Sequence, residues 1–215
     1  MGNFLKNTIR KFRVPAPPPA TLALVFACAF AYAVQIVAEP PGILAFVFSA
    51  NGAALSKWYF WTPLTYVFLH GSVWHLALNM LGLLTFGSAL EKEFGKRALL
   101  ASFFLSGVIG GLGWVAFTGL ESAQPCVGAS AAVLGVIGAF AVLRPKAEFD
   151  LMIPWFNPWV RMWELAAFLF AANSLELVFG KGQIAYSAHL SGIVAGALCG
   201  LAAGWARKRK RRRTP

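Results

Sequence analysis

"HGSVWHLALN", residues 70–79, opens a run of Leu, Gly and Phe that no water-soluble surface would carry. Two imidazoles and a carboxamide stand within ten residues at the mouth of a segment apolar enough to enter hydrocarbon. Ionisable groups at membrane depth are costly, and those that occur usually face the protein interior or a water cavity, where they carry function. A single His or Asn is also accounted for by hydrogen bonding between helices. What separates the two readings is whether several such residues converge.

Outward from this stretch, the chain is 215 residues long, 58% hydrophobic and 13% charged, with a mean hydropathy of +0.64. A soluble domain is nearer about 45–50% apolar and about 25% charged. The excess falls into six runs, at 20–38, 70–90, 98–118, 128–143, 162–179 and 185–206. Most approach the roughly 20 residues that one crossing needs. They predict an all-α membrane protein with six transmembrane helices. The fourth run is the shortest, because charge resumes at Arg144.

Lys and Arg test that count independently. Their numbers in successive tails and loops are 4, 1, 3, 0, 3, 1 and 7. Basic residues gather on the cytoplasmic side, so the alternation predicts that both termini are cytoplasmic. The expected organisation is a basic, Pro-rich tail at 1–19, a membrane domain at 20–206 and a basic tail at 207–215. The net charge of +11 comes largely from the two tails. Beside a span, "RKRKRRR" (207–213) reads as an anchor on anionic lipid, and no nucleic-acid partner is expected. The first apolar run exceeds the 7–15 residues of a cleaved signal peptide, so a retained helix is expected. Cys28, Cys126 and Cys199 give no disulfide framework.

Depth can be estimated from the inner ends of the runs. Ser130 precedes Arg144 by 14 residues, which at about 1.5 Å each puts it about 21 Å above the inner boundary. The same arithmetic gives about 20 Å for Asn79, about 26 Å for His75 and about 27 Å for His189. Tilt absorbs a spread of about 6 Å. Three helices thus bring Ser, His, His and Asn to one outer layer. On the sixth run, His189, Gly192, Gly196 and Gly200 share a face; on the fourth, Ala131, Gly135 and Ala139 do. Small-xxx-small faces let backbones pack closely in lipid, so these two helices are expected to touch.

Ser130 falls at a helix start, with Gly128 ahead of it to permit an unusual turn. Unpaired N–H groups and the positive dipole end there suit an oxyanion. A serine hydroxyl needs a base, and His189 is positioned to be one. His75 and Asn79, one helical turn apart, can donate to a tetrahedral intermediate beside the Ser130 amide. A triad would need a carboxylate. Glu176 alone approaches this layer and is expected to face loop water, leaving a Ser–His dyad. Cys126, on the outer side, is a lesser candidate for reactivity.

The chain resembles the rhomboid family of intramembrane serine proteases over nearly its whole length. "HGSVWHLALN" is similar to the family's H-x4-H-x3-N motif, "GASA" (128–131) to G-x-S-x and "AHLSGIVAG" (188–196) to A-H-x2-G-x3-G. Each pattern alone is weak, but their order and placement on spans two, four and six are specific. The resemblance implies a rhomboid-like bundle with Ser130 as nucleophile and His189 as general base. It also implies His75, Asn79 and the Ser130 amide as the oxyanion site, with His70 supporting that region. The implied reaction is hydrolysis of peptide bonds in or near transmembrane helices of membrane-protein substrates, without cofactor or metal. "KWYFW" (57–61) reads as an interfacial segment, where Trp and Tyr prefer to sit. "EKEFG" (91–95) also looks like the family, in which it closes the inner turn. Three positions depart from the pattern. Ala131 replaces a common Gly; Leu134 replaces an aromatic that would stack on the catalytic imidazole; and Trp61–Thr62 replaces Trp–Arg. Leu134 is expected to leave His189 less firmly held.

Rival readings are a non-catalytic rhomboid-like binder of membrane helices, which the retained Ser and His oppose, and a small transporter. A transporter would commonly show repeats and midplane polar groups. A metal site built from the three histidines would need a second shell that only Glu176 could supply. The compact six-span form suggests a prokaryotic inner membrane.

Overall fold

The computed structural model describes residues 16–38, 41–150, 159–180 and 185–211. The basic tail before residue 16 and Lys181 lie outside the described residues. Helix α1, Pro19–Val37, starts with proline in its first turn, where the missing N–H has no helical partner to lose. The Pro/Gly-interrupted stretch after it forms three short helices, α2 (Pro41–Phe48), α3 (Gly52–Ser56) and α4 (Thr62–Thr65). Then come α5 (Val73–Phe94), α6 (Lys96–Thr118) and α7 (Ser130–Leu143). Two short strands, β1 (Glu148–Asp150) and β2 (Trp159–Arg161), pair antiparallel with Glu148 opposite Arg161. Helices α8 (Met162–Phe179) and α9 (Tyr186–Arg211) complete the order. Apart from that ribbon, which the all-α expectation did not include, the described elements are helical.

Helices α1, α5, α6, α8 and α9 are long and apolar enough to cross a membrane. Helix α7 has 14 residues, or about 21 Å against a hydrocarbon core of about 30 Å. It is the enclosed centre of the molecule, with a continuous buried stretch from Gly135 to Ala141. A helix wrapped by others presents little surface to lipid, so its length need not match the bilayer.

Two boundaries differ from expectation. The second long helix begins at Val73, because Ser72 caps it by accepting the His75 N–H at 3.1 Å. His70 therefore stands ahead of the helix. At the other end of the chain, α9 runs past 206 into the basic tail, where Arg207 and Arg209 lie over the rings of Phe94 and Trp205 at 5.1 and 5.4 Å.

The small-residue faces meet as their spacing predicts. A Cβ on Gly192 or Gly196 would overlap the backbone carbonyl of Ala131 or Gly135, and one on Gly200 would lie 2.6 Å from the Ala139 oxygen. Helices α7 and α9 are thus in backbone contact over two turns. Helix α1 is held at its first turn by "EKEFG": Glu91 accepts from the N–H groups of Ala20 and Thr21 and from the Thr21 hydroxyl, at 3.0, 2.7 and 2.8 Å. A buried carboxylate on unpaired N–H groups at a helix start satisfies both charge and donors.

The first loop braces the segment that leads to Ser130. Ala50 and Cys126 exchange both backbone hydrogen bonds, at 3.0 and 2.9 Å, and Ala53 N–H donates to Ser122. Tyr66, fully buried, donates from its hydroxyl to the Gly107 carbonyl at 2.8 Å, and its own carbonyl accepts from Gly128 N–H at 3.0 Å.

Candidate active site

Ser130 is the first residue of α7, and the chain reaches it through Gly128 at φ 120°. That backbone conformation strains any residue with a Cβ. Space excludes one as well: a Cβ at Gly128 would lie 2.7 Å from His75 Nε2. Local sequence thus turns the chain sharply into the helix and leaves the serine hydroxyl at its mouth.

Ser130 Oγ lies 2.7 Å from His189 Nε2. These two side chains, 59 positions apart, meet because the glycine face of α9 lets His189 sit one turn above the contact with Ala131. Both residues are half-buried. The other imidazole nitrogen, Nδ1, lies 2.7 Å from Oδ1 of Asn173 on α8. Asn173 was not among the residues singled out from the sequence. Tyr186 meets the His189 ring edge-on, with centroids 6.2 Å apart. Leu134 packs against the core, and the imidazole is held by these two other contacts instead.

The remaining candidates fall around the pair. His75 Nδ1 accepts from Gly71 N–H at 3.4 Å, so in neutral imidazole the hydrogen resides on Nε2, the nitrogen facing Gly128. Asn79 is buried one turn further along α5 and donates from Nδ2 to the His75 carbonyl at 3.0 Å. An amide nitrogen carries two hydrogens, so a second remains for another acceptor.

His70 is fully buried, T-shaped against His75 at 5.3 Å, and clamped at both backbone groups by Gln35 of α1 at 3.0 and 2.9 Å. Its Nδ1 lies 3.2 Å from the Phe68 carbonyl, which that nitrogen can meet only as a donor. Gly192 and Gly196 provide the close approach already described.

Glu176 is exposed and accepts from the Tyr186 hydroxyl at 3.4 Å, while His189 Nδ1 is occupied by Asn173. Burial pushes the Cys126 thiol up to about 12, which disfavours the nucleophilic thiolate. Thr62, at the departing Trp–Arg position, is buried and donates to the Tyr59 carbonyl at 2.9 Å.

Fold and site together define a helical integral membrane protein with a serine and a histidine in hydrogen-bond contact at the start of its central helix. The Rhomboid domain matches residues 57–206, and the chain belongs to the rhomboid family. It is 32% identical to RHOMBOID-like protein 12, mitochondrial, of Arabidopsis thaliana over 70% of this chain and 47% of that one. It is 28% identical to Rhomboid protease GluP of Bacillus subtilis over 70% of this chain and 27% of that one. Inactive RHOMBOID-like protein 8 of Arabidopsis thaliana is 35% identical over 37% of this chain and 22% of that one. The chain spans less than half the length of these relatives. Because relatives include one named as mitochondrial, the expected prokaryotic inner membrane finds no support, and the assignment stands as integral membrane protein.

Proposed function

We propose that the chain is an intramembrane serine endopeptidase that hydrolyses peptide bonds in or next to transmembrane helices of membrane-protein substrates. The observation that carries this reading is the 2.7 Å contact between Ser130 Oγ and His189 Nε2. One relative is named a protease and another inactive, so membership alone does not decide activity and the pair must.

In the proposed reaction His189 Nε2 takes the Ser130 proton as Oγ bonds to the scissile carbonyl carbon. The oxyanion that forms is met by the Ser130 N–H at the start of α7, by His75 Nε2–H and by the second Asn79 amide hydrogen. Collapse breaks the C–N bond, and the imidazolium returns its proton to the leaving amine. Water, deprotonated by the same nitrogen, then attacks the acyl ester, releasing a carboxylic acid and restoring the hydroxyl. A six-span arrangement with cytoplasmic termini would put this chemistry about 9 Å below the outer surface.

Cleavage of a transmembrane-helix substrate by the full chain in proteoliposomes tests the reading. Ser130→Ala and His189→Ala are expected to lose cleavage while retaining wild-type melting in detergent. Undiminished cleavage by Ser130→Ala would overturn the nucleophile. Tight, unproductive substrate binding by the wild type would favour a non-catalytic binder of membrane helices.

A further inference from the structure

We infer that Asn173 is a positioning residue for His189, a neutral third member that sets the imidazole tautomer. This role presupposes the protease reading and deepens it. The hydrogens can be assigned from the partners. Asn173 Nδ2 donates to the Leu169 carbonyl at 2.7 Å, and a carbonyl can only accept, so the amide is fixed with Oδ1 towards His189. Oδ1 carries no hydrogen, so the 2.7 Å contact needs the proton on His189 Nδ1. A neutral imidazole then has its lone pair on Nε2, the nitrogen 2.7 Å from Ser130 Oγ. One carboxamide, tied to its own helix a turn back, thereby holds His189 in the tautomer able to take the serine proton.

The packing of α8 points the same way. Between its ends it buries Asn173 alone, only Met162 at its first position being buried besides. Burying an amide is costly unless its groups are paired, and here both ends of the carboxamide are. Leu134, where the family would place a stacking aromatic, offers His189 no hydrogen bond. A carboxylate in the soluble triads both orients the imidazole and stabilises its cation. A carboxamide supplies orientation and tautomer with only a dipole for the cation, so its removal should cost less than the roughly 10⁴-fold seen for a triad carboxylate.

Nitrogen NMR of the full chain with ¹⁵N-histidine in proteoliposomes tests this directly, His189 being assigned by loss of its signals in His189→Gln. The wild type is expected to show Nδ1 protonated and Nε2 bare, and Asn173→Leu a mixture of tautomers. Asn173→Leu should also lower kcat at least about tenfold with little change in KM. Asn173→Asp, which keeps the acceptor, should retain the tautomer and most of kcat. A wild-type His189 protonated at Nε2 overturns the role, and that result does not depend on whether Asn173→Leu folds. So does an Asn173→Leu enzyme with unchanged kcat and tautomer. Failure of the protease reading shows separately, as Ser130→Ala cleaving like the wild type.

Discussion

At the scale of single residues, the site is built from polar groups that their neighbours orient. Ser72 fixes the start of α5, Gly71 N–H fixes the His75 tautomer, and His75 in turn fills the space that a Cβ on Gly128 would take. Gly128→Ala is therefore expected to abolish cleavage, because both φ and the His75 ring resist it; cleavage at wild-type rate would contradict the turn's role. Asn79→Ala should lower kcat by about 10- to 100-fold with KM nearly unchanged, since an oxyanion contact strengthens only in the transition state. Steady-state kinetics in proteoliposomes separates the two parameters. Ser130, His75 and His189 were legible in the sequence because each is polar within an otherwise apolar run. Asn173 carries the same signal in "FAANSLEL" (170–177), but Ser174 and Glu176 beside it make it look like the wet end of a span. Only the tertiary contact with His189 separates it from them.

At the scale of elements, the contact of α7 with α9 decides whether serine and histidine meet. Gly196→Leu would drive a side chain into the Gly135 backbone and is expected to destabilise the fold by about 1–3 kcal/mol or more. Melting in detergent should fall, and cleavage with it. The register of these two helices was readable from the three- and four-residue spacing of small residues. Glu91→Gln removes the anion that collects three donors at the start of α1, and a loss of about 1.5–3 kcal/mol is expected in the same assay. An unchanged melting temperature would show that α1 is held by packing alone. The bracing of the Ser130 approach by the first loop was not legible. It runs through backbone groups of Ala50, Ala53, Cys126 and Ser122, which carry no side-chain signature, and the β1–β2 ribbon is likewise too short to impose a period.

At the scale of the whole molecule, among the described residues four of the five membrane-length helices, α5, α6, α8 and α9, pack around a shorter sixth that carries the serine. The six hydrophobic runs were visible because hydrocarbon demands length and apolarity, while the enclosure of α7 follows only from how the helices pack. The central claim is that this half-buried Ser130 hydroxyl is a nucleophile activated by His189. Covalent labelling of the full chain in proteoliposomes with a fluorophosphonate, followed by peptide mass spectrometry, measures that most directly. The adduct is predicted on Ser130 in the wild type and is predicted to disappear in His189→Ala. An adduct at another residue, or labelling of Ser130 undiminished without the imidazole, would contradict the account.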